Sequence, residues 1–280
     1  MNDLQTPQSV EVWQQAMVPS RRRRKGERRD RILSIILPVV TLIVLLAFWQ
    51  AFVVLAHISS FIFPRLDDTL AALAAHWPDI WSNLLVTLSE AGLGFVIGNA
   101  AAVAGATIFV YSRTFERALF PLAVIIQTIP IVVWSPILVI ALPPGSLPQV
   151  AVAVLISFFP ALVNMTHGLR SVDPLALELF HVLNASRWQV YRKLRWPASI
   201  PALFSSLRIT STLSLIGAIV GEYVAGGGQG LGYELITAKQ SIDTALVMAI
   251  TLVATIAGIV VFLAVAAIER AVLSRRGQVT

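Results

Sequence analysis

Imidazole and hydroxyl side chains are the groups in this sequence that could most readily take part in catalysis or metal binding. The four histidines are His57, His76, His167 and His181, and none has the H-E-x-x-H spacing that sets two metal ligands and a base on one helix face. Only His167 falls deep within an apolar run, where packing or hydrogen bonding is its expected role. The sequence contains neither a G-x-S-x-G nucleophile motif nor a cysteine. These observations predict neither a metal site nor enzymatic activity in this chain alone.

A glycine-rich segment at residues 226–232 is the next candidate, because such segments can cradle phosphate groups. It reads GGGQGLG. It has neither the Lys-Ser/Thr ending of a P-loop nor a complete G-x-G-x-x-G, and no predicted strand precedes it. The segment is therefore predicted to be a flexible turn on the outer side of a membrane.

Long apolar runs must position whatever polar groups this chain carries. Of its 280 residues, 56% are hydrophobic and 13% are charged, whereas soluble domains carry roughly 25% charged residues. Six runs are long enough to cross a hydrocarbon core of roughly 30 Å as helices. They are predicted at residues 32–56, 84–110, 119–142, 149–169, 202–224 and 245–268. The predicted fold is an all-α polytopic membrane protein with six transmembrane helices, and its transmembrane domain covers residues 32–276.

Basic residues predict how these helices are oriented. Residues 1–31 form a tail whose second half is strongly basic, and residues 277–280 form a short C-terminal tail. With the basic tail inside, all but three of the 21 lysines and arginines face the cytoplasm. The positive-inside rule then places both termini in the cytoplasm. The tail has three interpretations: it fixes topology, it binds anionic membrane lipids, or, least favoured, it binds nucleic acid.

Two carboxylates lie within predicted transmembrane helices, where a charge is costly. Glu90 follows the interfacial residues Trp81 and Asn83 by about two turns, which favours a position at the lipid head-group level over one lining a polar path. Glu222 lies near the outer end of the fifth predicted helix. It is interpreted either as a structural group or as a contact for an external partner.

The polar segment, residues 170–201, separates the fourth and fifth runs. Asp173 is a favourable N-cap, and Pro174 suits the first helical position because its missing N–H would be unpaired there. Asn184 tolerates the left-handed conformation that often ends a helix. Apolar residues recur between them at helical spacing, namely Leu175, Leu179, Val182 and Leu183. The first half of the polar segment is therefore predicted to be a short amphipathic helix.

A second short helix is predicted from Ser186 to Trp196. Ser186 and Gln189 have the spacing of a capping box, and Pro197 is expected to end the helix. The two helices admit two interpretations: an ordinary inner loop whose basic residues fix topology, or a docking element for a soluble partner. Two capped helices with apolar faces favour docking, because a free loop has no need of them.

The polar segment resembles the cytoplasmic EAA loop of ABC importer permeases, whose pattern is E-A-A, three residues, G, nine residues, I-x-L-P. Glu178, Asn184, Leu194 and Pro197 stand at the Glu, Gly, Ile and Pro places of that pattern without a gap. Leu179 and Phe180 replace its two alanines, and Trp196 replaces its leucine. The run NASRWQVYRKLRWPASIPALFSSLRI, with the later GAIVGEY and GLGYEL, is more similar to the nitrate/sulfonate/taurine branch. The resemblance covers the chain after about Leu33.

This resemblance implies a permease subunit of an ATP-binding-cassette importer in a bacterial inner membrane. Two permease copies would form the path, two copies of a separate ATPase subunit would dock inside and use ATP, and a periplasmic or lipid-anchored binding protein would deliver solute. The solutes of that branch are nitrate, sulfonates, taurine, bicarbonate and pyrimidine precursors of thiamine. The residues implied to contact or support the ATPase are Glu178, Asn184, Ala185, Ser186, Arg187, Leu194 and Pro197.

The resemblance also implies a translocation path along the third, fourth and fifth helices. The candidate residues are Gln127, Thr128, Asn164, Ser211, Thr212 and Glu222, because polar groups in lipid usually turn inward. For any single hydroxyl, a hydrogen bond to its own helix backbone is an equal alternative. A stand-alone secondary transporter or channel is the competing hypothesis, and it would favour buried charge pairs or inverted repeats. Glu90 and Arg208 are the only candidates for such a pair, and they are expected at opposite interfaces.

Overall fold

The computed structural model describes residues 21–226 and 228–274 of the protein, with side chains described from Ile36 onward except at Pro38. All regular secondary structure in these ranges is helical, which confirms the all-α class for the described part of the chain. The chain divides into two compact units between Ile58 and Ser59. The expectations for residues 1–20 and 275–280 lie outside the described residues.

The first unit contains helix α1, Arg21–Leu55. It covers the run predicted at residues 32–56, but it begins eleven positions earlier, inside the basic stretch that we expected to be part of a tail. The reason is local, because arginine, lysine and glutamate are good helix formers and no proline occurs between Arg21 and the apolar run. An apolar stretch, Val39–Leu55, forms its C-terminal half.

The described residues of the second unit form ten further α-helices and one π-helical turn. They are α2 (Leu66–Ala75), α3 (Trp77–Tyr111), α4 (Arg113–Thr128), α5 (Ile131–Ala141), α6 (Leu147–Arg170), α7 (Pro174–Val182), α8 (Arg187–Val190), the π-helical turn (Tyr191–Arg195), α9 (Trp196–Ala225), α10 (Leu231–Gln240) and α11 (Thr244–Ser274). In the described ranges, four segments are long and apolar enough to span a membrane: α3, α6, the continuous segment Arg187–Ala225 and α11. Helices α4 and α5 make a fifth if they count as one broken span.

The run predicted at residues 119–142 is not one helix. Helix α4 ends at Thr128, α5 begins at Ile131, and the two axes differ in direction by 101°. Pro130 accounts for the break, because a proline pushes the preceding residue out of the helical region. Ile129 accordingly has an extended backbone, with φ −71° and ψ 124°. The sequence predicted a single helix over residues 119–142, and the structure has a sharp turn between two helices.

Helix α9 is the centre of the second unit and contacts α3, α5, α6, α10 and α11. Small residues allow these helices to approach closely, which is the packing that lipid favours. A Cβ atom added at Gly217 would lie 2.8 Å from the Cα of Ala153, and one added at Gly221 would lie 2.9 Å from the Cα of Gln149. Alanine or a larger residue at either position would therefore push α9 away from α6.

The second helix of the polar segment does not end at Pro197. Helix α8 passes through the π-helical turn directly into α9, so that residues 187–225 form one continuous helix. In the π-helical turn the N–H of Trp196 donates to the carbonyl of Tyr191, five residues back. A proline ring inside an α-helix clashes with the carbonyl four residues back. The wider turn immediately before Pro197 relieves that clash, which explains why the proline is tolerated.

Candidate functional site

The predicted caps of the polar segment are all present. The carboxylate of Asp173 accepts a hydrogen bond from the N–H of Leu175 at 3.0 Å. Asn184 has φ +49°, the left-handed conformation expected of it. The N–H of Ser186 donates to the side chain of Gln189 at 2.8 Å, and the N–H of Gln189 donates back to the hydroxyl of Ser186 at 3.3 Å. Local sequence alone therefore fixes the turn between α7 and α8.

Helix α7 has an apolar face that the described part of the chain leaves exposed. Its members lie at positions i, i+4, i+7 and i+8 of one helix, and they are 56% to 78% exposed: Leu175, Leu179, Val182 and Leu183. Trp188 on α8 is 65% exposed. Glu178 and Arg187 are exposed beside them. Contiguous exposed apolar surface of this kind, rimmed by charges, marks a contact with another molecule.

The polar segment is attached to the helical bundle through an aromatic cluster. The Tyr111 hydroxyl, at the end of α3, donates to the backbone carbonyl of Arg187 at 2.9 Å. Tyr191 reaches the Thr107 hydroxyl at 3.1 Å. Since Thr107 donates its own proton to the Val103 carbonyl at 2.8 Å, Tyr191 is the donor in this contact. The ring of Tyr191 also stacks on Trp188, with centroids 5.7 Å apart.

Two arginines fix the same end of the bundle. Arg170, the last residue of α6, binds both oxygens of Glu116 on α4 at 2.8 and 2.6 Å. Arg195, in the π-helical turn, donates to the backbone carbonyl of Leu169 at 2.9 Å. The positive guanidinium of Arg195 thus lies at the C-terminal carbonyls of α6, where the helix dipole favours a positive charge. The polar segment is therefore attached to α3, α6 and α9.

A cavity of about 250 Å³ lies at the break between α4 and α5. Its lining includes Gln127, Thr128 and Trp134 beside the broken backbone, and Leu155 and Ile156 from α6. No charged side chain is among its lining residues. The structure thus brings together two of the predicted path residues, and it adds Trp134, which the sequence did not single out.

Four of the predicted path residues bond to the backbone of their own helices, and Thr128 donates to the Ile125 carbonyl at 2.7 Å. Asn164 donates to the Pro160 carbonyl at 2.9 Å. Ser211 and Thr212 donate to carbonyls three residues back, at 2.8 and 2.9 Å. These are the backbone contacts that we left open as the alternative to a path-lining role. His167, for which packing or hydrogen bonding was expected, is exposed.

Glu222 lies at the other end of α9 and is fully buried, with 0% exposure. Its Oε2 atom accepts a hydrogen bond from the N–H of Gly232 at 2.7 Å. Glu90 is also buried, at 4% exposure. Its carboxyl therefore packs inside the bundle. The sequence had favoured a position at the level of the lipid head groups. The structure also pairs Arg208 with Glu269, at 2.8 Å.

The glycine-rich segment leads into helix α10, which the sequence did not reveal. Three side-chain atoms accept the N–H groups of residues 230–232, so the end of the segment is anchored, whereas we expected a flexible turn. The N–H of Gly230 donates to Asn83 at 2.8 Å, that of Leu231 to Thr87 at 2.9 Å, and that of Gly232 to Glu222. Gly230 has φ +99°, which glycine adopts without strain.

Comparison with known proteins agrees with this architecture. Residues 93–277 match the family described as "binding-protein-dependent transport system inner membrane component". A probable ABC transporter permease protein of Haemophilus influenzae is 33% identical over 79% of this chain and 90% of its own length. The riboflavin transport system permease protein of Chloroflexus aurantiacus is 35% identical over 74% of this chain and 78% of its own. The formylaminopyrimidine transport permease protein of Halalkalibacterium halodurans is 32% identical over 70% and 78%.

Solved structures show the same fold. A crystal structure of an amino acid ABC transporter with histidines superposes with a TM-score of 0.59 at 18% identity, and it covers 74% of this chain and 97% of that one. The chain belongs to the family of binding-protein-dependent inner membrane transport components. It is a permease subunit of an ABC transporter for a small solute.

Proposed function

We propose that the polar segment couples this permease to a separate ATPase subunit. The apolar face of α7 is the observation that carries the proposal, because it exposes four large apolar side chains at one end of the bundle. An amphipathic helix of this kind fits a hydrophobic groove in a partner. The residues proposed to contact or support that partner are Glu178, Asn184, Ala185, Ser186, Arg187, Leu194 and Pro197.

The aromatic cluster would carry the motion of the ATPase into the membrane. Tyr191 bonds to α3 through Thr107 and stacks on Trp188 of α8, and the helix continues from there into α9. A displacement of α7 and α8 therefore acts on α9, which packs against most of the second unit. ATP hydrolysis would be supplied entirely by the partner, and this chain would remain a non-enzymatic transport subunit.

The proposed assembly follows from the family. Two permease copies would form the path, with two ATPase subunits inside and a periplasmic or lipid-anchored solute-binding protein outside, in a bacterial inner membrane. In this arrangement α1 and the broken pair α4–α5 complete six crossings, and both termini are cytoplasmic. The basic tail of residues 1–31 would contact anionic lipid, the domain would cover residues 32–276, and residues 277–280 would form the C-terminal tail.

The cavity at the α4–α5 break is the proposed part of the path. Gln127 and Thr128 line it, and discontinuous helices are where transport proteins commonly expose backbone groups to a solute. Asn164, Ser211, Thr212 and Glu222 remain proposed path residues only if movement of the helices frees their side chains. The contacts of Glu222 with α10 favour its structural role.

The solute class that we propose is a neutral planar heterocycle, in preference to a small inorganic anion. Permeases named for riboflavin and formylaminopyrimidine are 35% and 32% identical to this chain, whereas a nitrate import permease of Synechocystis is 28% identical. The cavity supplies the Trp134 ring and the Gln127 amide, and its lining has no cation to hold an anion. Uptake by the complete transporter should be inhibited by an excess of a formylaminopyrimidine and unaffected by nitrate. The opposite pattern would contradict this class.

A double variant tests the coupling proposal. Leu179→Arg with Val182→Arg places two charges on the apolar face of α7, so co-purification with the partner ATPase should be lost. The matched control is Thr237→Arg, an exposed position on α10 at the other end of the bundle. It should retain the ATPase. Undiminished ATPase binding by the double variant would contradict the proposal.

A further inference from the structure

Two carboxyl groups meet at the start of helix α10, in the interior of the second unit. Glu90 on α3 and Glu222 on α9 lie within hydrogen-bonding reach of each other. Both are almost completely buried, at 4% and 0% exposure. We call Glu90 and Glu222 the carboxyl pair. The residues proposed to couple to the ATPase are at the opposite end of α9, so the carboxyl pair does not belong to that site.

Each member of the carboxyl pair has one solvent-shielded oxygen without a hydrogen-bond partner. These atoms are Oε2 of Glu90 and Oε1 of Glu222. Two ionised carboxylates can only accept hydrogen bonds, so they cannot satisfy each other. A single proton between them would provide the missing donor, and it would also remove the repulsion between two buried like charges.

The surroundings determine which residue holds that proton. Oε2 of Glu222 accepts the N–H of Gly232 at the first turn of α10, where the helix dipole favours a negative charge. Glu90 has no comparable donor among the described contacts. We propose that the carboxyl pair is a proton-binding site in which Glu90 is a carboxylic acid and donates a hydrogen bond to the carboxylate of Glu222.

The neighbouring polar groups are already engaged elsewhere. Thr87 lies beside Glu222, but its single hydroxyl proton is donated to the Asn83 carbonyl at 3.1 Å, and its oxygen accepts from Leu231. Glu234 on α10 accepts from the Asn83 side chain at 2.9 Å, and burial raises the pKa of Glu234 while this hydrogen bond opposes the rise. The hydroxyl of Tyr223 lies 3.0 Å from Nζ of Lys239. None of these groups supplies the donor that the carboxyl pair lacks.

The proton has a structural consequence for α10. Glu222 holds the N–H of Gly232 only while its carboxylate points toward the helix start, and the proton on Glu90 fixes its other oxygen. A carboxyl pair without a proton would repel, and Glu222 would rotate away from α10. The site therefore binds one proton and uses it to hold the first turn of α10 against α3 and α9.

Infrared spectroscopy of the purified full chain at neutral pH tests the site directly. A protonated carboxyl has a C=O band, distinct from ionised carboxylate, that shifts in D₂O. We expect this band in the wild type, its loss in Glu90→Gln, and its retention in Glu116→Gln, because Glu116 is ionised beside Arg170. Absence of the band in the wild type, or its persistence in Glu90→Gln, would overturn the proposal.

Hydrogen exchange distinguishes the effect of the proton on Glu90 from the effect of the packing of its side chain. Glu90→Gln replaces the acid with an amide donor, so the amides of Gly230, Leu231 and Gly232 should stay as protected as in the wild type. Glu90→Ala removes the donor, so their exchange should rise by about tenfold. Equal protection in Glu90→Ala and the wild type would contradict the proposal. Protection that requires Na⁺ or Ca²⁺ would show that a metal ion, and not a proton, occupies the gap.

Discussion

The two ends of helix α9 differ in how far the chain itself covers their side chains and backbone groups. At its beginning, the polar segment leaves four large apolar side chains of α7 exposed, while its caps are complete. At its end, the start of α10 is fully enclosed, and side chains of α3 and α9 accept three of its N–H groups. The first end has the exposed apolar surface of a contact site. The second end has the enclosed packing and hydrogen bonds of a region with one conformation.

The largest loss of stability is expected for a substitution at the enclosed end of α9. A Cβ atom added at Gly232 would lie 2.8 Å from both the Cβ of Glu222 and the backbone nitrogen of Tyr223. Gly232→Val should therefore destabilise the protein by about 3 kcal/mol or more, because overpacking and the loss of a buried hydrogen bond add together. Thermal unfolding in detergent measures the change. Stability equal to the wild type would contradict the close packing of α10.

A control at the exposed end sharpens this prediction. Val182→Ala on the open face of α7 removes apolar atoms from a side chain that is 78% exposed. The unfolding temperature of the isolated chain should change little, since surface substitutions usually stay within about 0.5 kcal/mol. A large loss of stability would mean that the chain itself covers this face.

The link between the exposed end and the bundle predicts an intermediate effect. Tyr191→Ala removes the aromatic stacking and the hydrogen bond to Thr107, so it should cost about 3 kcal/mol of stability and reduce coupled transport. Tyr191→Phe retains the ring and should cost about 1 kcal/mol, the usual contribution of one hydrogen bond. Unfolding temperature together with the ratio of solute moved to ATP hydrolysed distinguishes the two variants. Identical ratios in Tyr191→Ala and wild type would contradict the role of this link.

The smallest structural effect is expected for charge changes on the polar segment. Glu178→Lys and Arg187→Glu alter exposed side chains, so the protein should remain folded in the membrane. In the complete transporter both should separate ATP hydrolysis from solute uptake. Normal uptake by both variants in membrane vesicles would argue against their place in the coupling contact.

Features that depend on neighbouring residues could be predicted from the sequence. The caps at Asp173 and Ser186 and the left-handed Asn184 follow from side chains that bond to backbone within a few positions. Pro130 is a local signal for a break, although not for its angle, because a proline removes a hydrogen bond without fixing the direction of the next helix. The long apolar runs likewise predicted the helical membrane class.

Features that depend on distant residues could not be predicted in this way. Helix α10 is capped by Asn83 and Thr87, which precede it by more than 140 positions. The carboxyl pair joins residues of two helices whose register is set only by packing. Pro197 was misinterpreted because the preceding turn widens into a π-helix, and no local signal distinguishes that turn from an ordinary helix end.

Transport by the purified chain tests the central claim most directly. The chain is reconstituted in proteoliposomes alone, or together with its partner ATPase and binding protein, and solute accumulation is followed with and without ATP. The coupling proposal predicts accumulation against a gradient only in the complete assembly with ATP, and none after Leu179→Arg with Val182→Arg. Uphill transport by this chain alone would contradict it.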